Sequence, residues 1–510
     1  MLDRSTIDYA ENAREATETE DPLRSRKHRL ALLTDPYFII SATIILWGIV
    51  VSSYHIWSND WHAHVASVRA LMDNPWRPEN PLVGGSAPWP YFEPYELVVA
   101  LAARLTGLSA ETAFEMAGPV NAVLFCWALR RFCNHLHRST WTATLALVFT
   151  LFLWGVTSIQ WSGLFELSSL VSSFSYPATL ATALMLLSLD ALLRFRETAR
   201  VPWLALLSVL AAALVLIHPA TAMGAAATAV GLVFVRLGKW TPWRLAALLI
   251  PAASALIAVA YWPYFDISVL LNRGEAFDQV QADLLHSSIL RFGLVLLALP
   301  ALLWDRRDRL GLELLGMFTV CTAALLVGTI AGMGTMARLM PFPVLLLHLA
   351  LARHLAQKRD PRRPYRKVVT VATVIGAWVQ IGTAVMLALP PDMRLGRYQE
   401  WTEPYRFAQR HLRPGDVVLT EDQGAARLLP LWGVRSVAPG YEHFFVPDEE
   451  KRWKAVDRFL DPDTKADERK RIIDDYGVRC VLTRKWPHQS IPGFVKGSTR
   501  SGDIALFCRP

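Results

Sequence analysis

The sequence contains few charged residues. Asp, Glu, Lys and Arg make up 19% of the 510 residues, while hydrophobic residues make up 53%. A soluble domain carries roughly 25% charged residues. The shortage is strongest locally, since residues 204–235 contain none of these four types. An ordinary soluble enzyme and a disordered protein are therefore excluded, and the composition indicates a polytopic membrane protein with a water-soluble part.

Cysteine is also scarce. Five cysteines in the whole chain are too few for the disulfide framework of a small secreted protein. Cys480 and Cys508 both fall near the C-terminus. They would form one disulfide if that region faces an oxidising compartment, and the alternative is that both are buried as thiols.

The apolar residues are concentrated in stretches long enough to cross a bilayer, which takes about 20 residues. We predict eleven transmembrane helices, near 37–56, 113–131, 140–157, 176–195, 202–218, 220–236, 243–262, 289–304, 311–332, 338–353 and 367–389.

Basic residues predict how these helices are oriented. The net charge is +8, but the excess lies in short loops rather than in a basic domain, so a nucleic-acid partner is not expected. The even-numbered connections hold most of it: Arg130, Arg131 and Arg138; Arg194, Arg196 and Arg200; Arg236, Lys239 and Arg244; Arg306, Arg307 and Arg309; and a dense run from Arg353 to Lys367. The positive-inside rule places these connections in the cytoplasm.

The domain organisation follows from this orientation. Residues 1–36 are polar and mixed in charge, unlike a signal peptide, so we expect a cytoplasmic N-terminal tail. Residues 37–389 form the transmembrane module. An odd number of spans places residues 390–510 outside, in the periplasm of a bacterium. Their order of strands and helices (417–420, 425–431, 435–437, 451–460, 466–476, 478–483 and 504–508) predicts a small α/β domain.

The first outer connection, residues 57–112, is too long for a simple turn. Apolar positions recur at helical spacing over 61–73, which predicts an amphipathic helix lying along the membrane surface. Asp60 comes at its N-terminus, where it could act only as a helix cap. However, Asp60, His62, His64 and Glu93 all fall at the outer mouth of the helical body, and ionisable groups there commonly mark a site.

The segment from Asp60 to Leu71 has the pattern Asp-Trp-x-x-His followed by six residues and Leu. With the long first loop, the many spans and the outer C-terminal domain, this segment resembles the GT-C class of integral membrane glycosyltransferases. The resemblance implies a polyprenyl-phosphate-linked sugar donor, a lipid-linked or polysaccharide acceptor, and Asp60 as the catalytic base. Many members pair two acidic residues here. Asn59 precedes Asp60 in this chain, so no metal ligands are assigned, and a divalent metal is only an alternative.

A lipid phosphate is already a good leaving group, so transfer with inversion needs one carboxylate near the anomeric carbon, where a hydrolase uses two. Asp60 is assigned that role, and a neutral His62 or His64 is the alternative base. The donor phosphate needs a fixed cation on the outer side. Arg338 is the first choice because Arg binds phosphate through two parallel hydrogen bonds, and Arg69 is a weaker one. Both could instead extend to lipid head groups.

Three further residues are candidates for binding substrate. His218 lies in the turn between two spans, where it could bind substrate or satisfy freed carbonyls near Pro219. Glu166 could line the acceptor groove, although we expect it to face water. Glu93 could align the acceptor or hold a loop arginine such as Arg69 or Arg77.

The sequence thus predicts an inverting glycosyltransferase acting at the outer face of the inner membrane. Two other functions are alternatives. A transporter or lipid flippase would place charges near the bilayer midplane, whereas the predicted spans keep them at their ends. A glycan polymerase or ligase would share the outer-facing site.

Overall fold

The computed structural model describes residues 34–53, 60–266, 275–357, 363–389, 393, 405–441, 443, 445–446, 448–484, 491, 493–500 and 504–510. Asn59 and nearly all of the predicted N-terminal tail lie outside these residues.

Within the described part of the chain, seven helices are long and apolar enough to cross a membrane. They are Pro36–Ser53, Ala110–Leu136, Pro177–Thr198, Pro242–Ala260, Arg309–Ile330, Gly334–Ala356 and Arg363–Ala388. Three shorter apolar helices are Thr140–Phe152, Val201–Ile217 and Pro219–Val235. These ten helices match ten of the eleven predicted spans.

The remaining predicted span, 289–304, is divided into three short helices: Ser288–Phe292, Leu294–Ala298 and Leu299–Trp304. The break is accommodated by backbone bonds to a neighbouring segment. Val156 N–H donates to Leu290 O over 2.7 Å, and Leu294 N–H donates to Trp154 O over 3.0 Å. Irregular backbone within an apolar body is stable only when its polar groups are paired in this way. The number of crossings stays a prediction.

The helices differ in how much of their surface is covered by protein. In the most apolar 18-residue stretch of Pro177–Thr198 and in that of Gly334–Ala356, 78% is buried inside the protein. In Pro242–Ala260 the buried share of the corresponding stretch is 6%. The first two helices therefore form the centre of the bundle. The third presents an apolar surface outward, as expected of a helix in contact with lipid.

Two helices form the first loop: Trp61–Asp73, which we call the first-loop helix, and Pro94–Thr106. The first-loop helix has the bounds predicted from its apolar spacing. Trp61, Val65, Val68 and Leu71 are buried, so its apolar face packs onto the protein rather than lying open to a membrane surface.

The C-terminal residues contain a five-stranded sheet with the order β2-β1-β3-β5-β4. Its strands are β1 (Val417–Thr420), β2 (Arg435–Ser436), β3 (Cys480–Thr483), β4 (Val495–Arg500) and β5 (Ile504–Cys508). β1 is parallel to β2 and β3, while β5 is antiparallel to β3 and β4. The helices here include Gln423–Leu428, Glu449–Leu460 and Ala466–Tyr476. Each predicted element has a counterpart, and β4 was missed because its sequence is largely polar.

Two contacts fix the C-terminal part of the chain. Cys480 and Cys508 are opposite each other in β3 and β5 and form a disulfide, which is the first of the two alternatives left by the sequence. The first loop also docks onto β2, since Ser436 N–H donates to Leu82 O over 2.8 Å and Arg435 forms an ion pair with Glu79. This docking places C-terminal residues beside the first-loop helix.

Candidate active site

Asp60 lies at the N-cap position of the first-loop helix, but its carboxylate makes no capping bond to the helix backbone. Instead, the Tyr91 hydroxyl donates to Asp60 Oδ2 over 2.8 Å. The Asp60 side chain is 36% exposed. The cap interpretation therefore explains its position on the helix but not the direction of its carboxylate, which belongs to a polar group with Tyr91.

His64 lies one helical turn beyond Asp60 and is buried. Its Nε2 is 3.8 Å from Asp60 Oδ2, and its Nδ1 is 2.6 Å from Glu96 Oε1. The ring stacks on Phe114, with centroids 5.4 Å apart and planes 12° apart. His64 thus connects the exposed carboxylate of Asp60 with the fully buried carboxylate of Glu96, a residue that the sequence did not single out.

Glu93 is buried and shares a hydrogen bond with Glu96. Among the described residues Glu93 forms no ion pair with Arg69 or Arg77, and its other predicted role, alignment of the acceptor, stays a prediction. Burial and the adjacent Glu96 charge raise the pKa of Glu93 well above its ordinary value, because two close carboxylates do not both ionise readily. The ligand atoms of His64, Glu93 and Glu96 lie within 4.8 Å of one another. Glu96 contacts both His64 and Glu93 directly, so we interpret these three side chains as joined by hydrogen bonds. We assign no metal ligands.

Opposing effects act on the Asp60 carboxyl. Burial favours the neutral acid, but His64, the Tyr91 hydrogen bond and Arg338 together outweigh it and lower the pKa of Asp60. For His64, burial favours the neutral ring, yet Glu96 and Asp60 outweigh it and raise the pKa of His64. Both groups are therefore stabilised in their charged forms.

Arg338 lies close enough to Asp60 for their charges to interact. Its Nε donates to Gln281 Oε1 over 2.5 Å, its Nη1 donates to Ser162 O over 3.0 Å, and its guanidinium lies 5.3 Å from the Trp161 ring centroid. A guanidinium has five N–H donors, and these bonds use two of them. Arg338 is thus held in place by protein contacts beside the candidate base.

His218 and Arg69 make contacts with the protein itself. His218 Nδ1 accepts from Thr221 N–H over 3.2 Å and caps the helix Pro219–Val235. This bond satisfies a backbone N–H group and not the freed carbonyls of the alternative. Arg69 Nη1 lies 3.5 Å from where a Cβ of Gly433 would be. Nine residues of helix separate Arg69 from Asp60, or about 13 Å along the axis. Their roles in binding substrate stay predictions.

Glu166 is 1% exposed, so the expectation that it faces water is wrong. It accepts from Ile159 N–H over 2.8 Å and from Gln380 Nε2 over 2.7 Å. Burial raises the pKa of Glu166 to about 7. Gln380 belongs to the last long helix, so this carboxyl joins a loop to that helix. Its assignment to the acceptor groove stays a prediction.

The C-terminal part of the chain adds residues that the sequence did not indicate. Tyr441 packs edge-to-face on His62, with ring centroids 6.1 Å apart, and Arg427 lies 5.2 Å from the Tyr441 ring centroid. The Tyr441 hydroxyl is buried and has no hydrogen-bond partner among the described residues. Burial and the nearby Asp60 charge raise the pKa of Tyr441. A phenol is therefore placed within electrostatic reach of the candidate base.

No family model and no curated protein sequence matches the chain, but solved structures do. ArnT from Cupriavidus metallidurans in the apo state matches with a TM-score of 0.58 and 11% identity, covering 95% of this chain and 98% of that one. ArnT bound to undecaprenyl phosphate matches with a TM-score of 0.54 and 12% identity, covering 92% and 97%. Arabinofuranosyltransferase AftD from Mycobacteria matches with a TM-score of 0.55 and 16% identity, covering 92% of this chain and 41% of AftD.

These are GT-C-type membrane glycosyltransferases. The chain has the GT-C fold. The similarity extends over more than nine-tenths of the chain, so it is not confined to the apolar helices.

The GT-C fold brings together some of the predicted site residues but not all of them. Asp60, His62, His64 and Arg338 lie in one polar region, and Glu93 lies behind Glu96. His218 lies within electrostatic reach of Asp60, His64 and Arg338. Glu96, Tyr91 and Tyr441 join this region through packing. Tyr91 and Glu96 lie on either side of Glu93 in the sequence, and this position was the only signal that could have pointed to them.

Proposed function

We propose that this chain is an inverting glycosyltransferase that transfers a sugar from a polyprenyl-phosphate donor to a lipid-linked or glycan acceptor, at the outer face of the inner membrane. The observation that carries the proposal is the Asp60 carboxylate. It is partly exposed, makes no capping bond to its own helix, is oriented by Tyr91 and lies within electrostatic reach of Arg338 in a GT-C fold.

The residues supply what this reaction requires. The acceptor hydroxyl oxygen forms a bond to the anomeric carbon as the bond from that carbon to the phosphate oxygen breaks. The hydroxyl proton passes to Asp60, which its surroundings keep ionised. The electron pair of the broken bond leaves with the polyprenyl phosphate. Because attack and departure occur on opposite faces of the sugar, the anomeric configuration is inverted.

Arg338 is the group we assign to the phosphate. Fixed donors aimed at developing charge contribute most when they need no rearrangement during the reaction, and the bonds to Gln281 and Ser162 hold Arg338 in this way. Binding of undecaprenyl phosphate by ArnT, whose fold this chain shares, supports a polyprenyl-phosphate carrier as the donor lipid.

The test is sugar transfer by the purified protein in lipid nanodiscs, supplied with a panel of polyprenyl-phosphate monosaccharides and extracted cell-envelope lipids as acceptors. We expect Asp60→Asn to lower kcat by roughly 100- to 10,000-fold, the usual contribution of a general base. Asp73→Asn is the matched control, because Asp73 is an exposed residue at the other end of the same helix.

Arg338→Ala provides a second, separate measurement. We expect it to weaken binding of the polyprenyl-phosphate donor and to lower kcat, while Arg104→Ala, at an exposed position, changes neither. Transfer at the wild-type rate by a folded Asp60→Asn protein would show that another group is the base.

A further inference from the structure

The buried groups behind Asp60 form a continuous chain. Asp60 Oδ2 is 3.8 Å from His64 Nε2, and His64 Nδ1 is 2.6 Å from Glu96 Oε1. Glu96 shares a hydrogen bond with Glu93. The side chain of His64 is 4% exposed and that of Glu96 is 0% exposed. Sugar transfer itself needs only the first member, so the other three require a separate explanation.

Packing fixes the orientation of the His64 ring. Phe114 stacks on one face, Tyr91 packs edge-on with centroids 4.7 Å apart and planes at 90°, and Tyr176 packs with centroids 5.0 Å apart. A ring held on these sides cannot turn its nitrogens elsewhere without disturbing the core. Its two nitrogens are therefore directed at Asp60 and Glu96.

Both ring nitrogens of His64 face carboxylate oxygens. Nδ1 lies 2.6 Å from Glu96 Oε1, and Nε2 lies 3.8 Å from Asp60 Oδ2. A carboxylate accepts hydrogen bonds, and only the imidazolium form of His carries an N–H at both nitrogens. An opposite charge close to a group favours the charged form of that group, so these two neighbours favour the imidazolium, while Arg338 and Arg427 are the cations near Asp60 and Tyr441.

We propose that His64 is a positioning residue for Asp60, acting as an imidazolium that donates to Glu96 through Nδ1 and faces Asp60 through Nε2. This inference rests on the proposed function. Glu96 orients the ring through Nδ1, and Glu93 shares a hydrogen bond with Glu96. His64 touches neither donor nor acceptor, and it keeps the Asp60 carboxylate ionised and fixed in direction.

The kinetic test compares His64→Gln with wild type, with His411→Gln as control because His411 is exposed. We expect kcat for transfer from the polyprenyl-phosphate monosaccharides to fall about 10- to 100-fold, the effect typical of groups that orient a reactive residue. KM for the donor is expected to change little, since His64 does not contact it. Unchanged kcat in a folded His64→Gln protein overturns the inference.

The pH profile provides a readout that a purely structural role would not change. The titratable groups that face His64 are Asp60, Glu96, Tyr91 and Tyr176, with Glu93 behind Glu96 and Arg338 beyond Asp60. His218 also lies within electrostatic reach of His64. Since the imidazolium is the active form, kcat is expected to decline as the pH rises through the His64 pKa. This decline should be absent in His64→Gln and should move to lower pH in Glu96→Gln. A His64→Gln profile that keeps the wild-type decline contradicts the inference.

Infrared spectra test the charges without any activity, so they distinguish failure of this inference from failure of the proposed function. Glu166 also has a pKa raised to about 7, so the spectra are compared in a Glu166→Gln background. Near neutral pH, we expect this background to give the carbonyl band of a protonated carboxyl group, which the added Glu93→Gln change removes. His64→Gln should gain a second such band, because a carboxylate must take up the proton that the imidazolium no longer carries. The absence of this additional band overturns the inference.

A bound divalent metal ion is the remaining alternative, because one such ion could replace the two protons on His64 and Glu93 with the same total charge. Metal analysis tests this alternative. We expect no stoichiometric Zn²⁺ or Mn²⁺ after purification or titration, and full activity after EDTA. One bound ion per chain that is lost in both His64→Gln and Glu96→Gln would overturn the inference in favour of a metal site.

Discussion

Two acidic residues of the first loop, Asp60 and Glu93, differ in pKa because burial and neighbouring groups act on them in different proportions. Asp60 has His64, Tyr91 and Arg338 nearby, and its pKa is lowered despite its partial burial. Glu93 has another carboxylate as its partner, so its pKa is raised well above the ordinary value. Carboxyl groups with separated pKa values are how one site holds both a base and a neutral acid.

Glu166 is a buried acid away from these charges, which allows a prediction about stability. Its pKa is raised to about 7 in the folded protein, so the folded state binds the proton more tightly than the unfolded state. Stability from this group is present at low pH and is lost as the pH rises from about 4.5 to about 7, by about 3 kcal/mol in total.

Thermal unfolding in detergent at about pH 5 and about pH 8 measures this effect. Glu166→Gln should reduce the pH-dependent difference in midpoint, while the exposed Asp457→Asn should leave it unchanged. A remaining difference is expected from Glu93, because its pKa is also raised. If wild type and Glu166→Gln lose equal stability over this range, ionisation of Glu166 is not the cause.

At the residue scale, the sequence could predict Asp60 because a carboxylate directly follows the first span and begins an amphipathic segment. It could not predict Glu96, which belongs to an ordinary apolar helix and becomes important only because His64 packs against it. Tyr441 and Arg427 were also missed. They reach the site through docking of the C-terminal residues onto the first loop, and no local pattern records that contact.

At the scale of elements, hydropathy and helical spacing predicted the first-loop helix and ten apolar helices, because each of these signals is local. The division of 289–304 was not predicted. Its cause is the pairing of the backbone at Leu290 and Leu294 with Val156 and Trp154, and this depends on a segment far away in sequence.

The contact between helices Pro219–Val235 and Arg309–Ile330 depends on two glycines. A Cβ at Gly231 would come within 2.5 Å of Gly316 O and 2.7 Å of Met317 Cα. These are backbone atoms, so the helices would have to move apart. We expect Gly231→Ala to destabilise the protein by about 1–3 kcal/mol, as overpacking generally does.

Gly382→Ala is the control, since nothing lies within 4 Å of a Cβ at Gly382 in the last long helix. Alanine there should be neutral or stabilising by up to about 1 kcal/mol through its higher helix propensity. Midpoints of thermal unfolding in detergent test both variants. Equal midpoints for the two would mean that the glycine contact does not determine how closely these helices pack.

For the whole molecule, the charge pattern along the chain agrees with buried ion pairs in the structure. Arg196 bonds to Glu313 over 2.8 Å, and Arg353 contacts both Asp305 and Asp308. These pairs lie in or beside connections that the positive-inside rule assigns to the cytoplasm, whereas Asp60 lies on a connection assigned to the outside. The charged side chains named here thus form two groups. The ion pairs of Arg196 and Arg353 hold helix ends together, and Asp60 belongs to the candidate site.

This separation predicts which side of the membrane each group faces. Lys454 is 71% exposed in the C-terminal domain, and Lys239 is exposed in a connection expected to be cytoplasmic. In intact cells, a membrane-impermeant maleimide should label Lys454→Cys at once and Lys239→Cys only after the inner membrane is opened. The native cysteines give little background, because Cys126, Cys133 and Cys321 are buried and the other two are bonded. The reverse labelling pattern would place Asp60 in the cytoplasm and contradict transfer at the outer face.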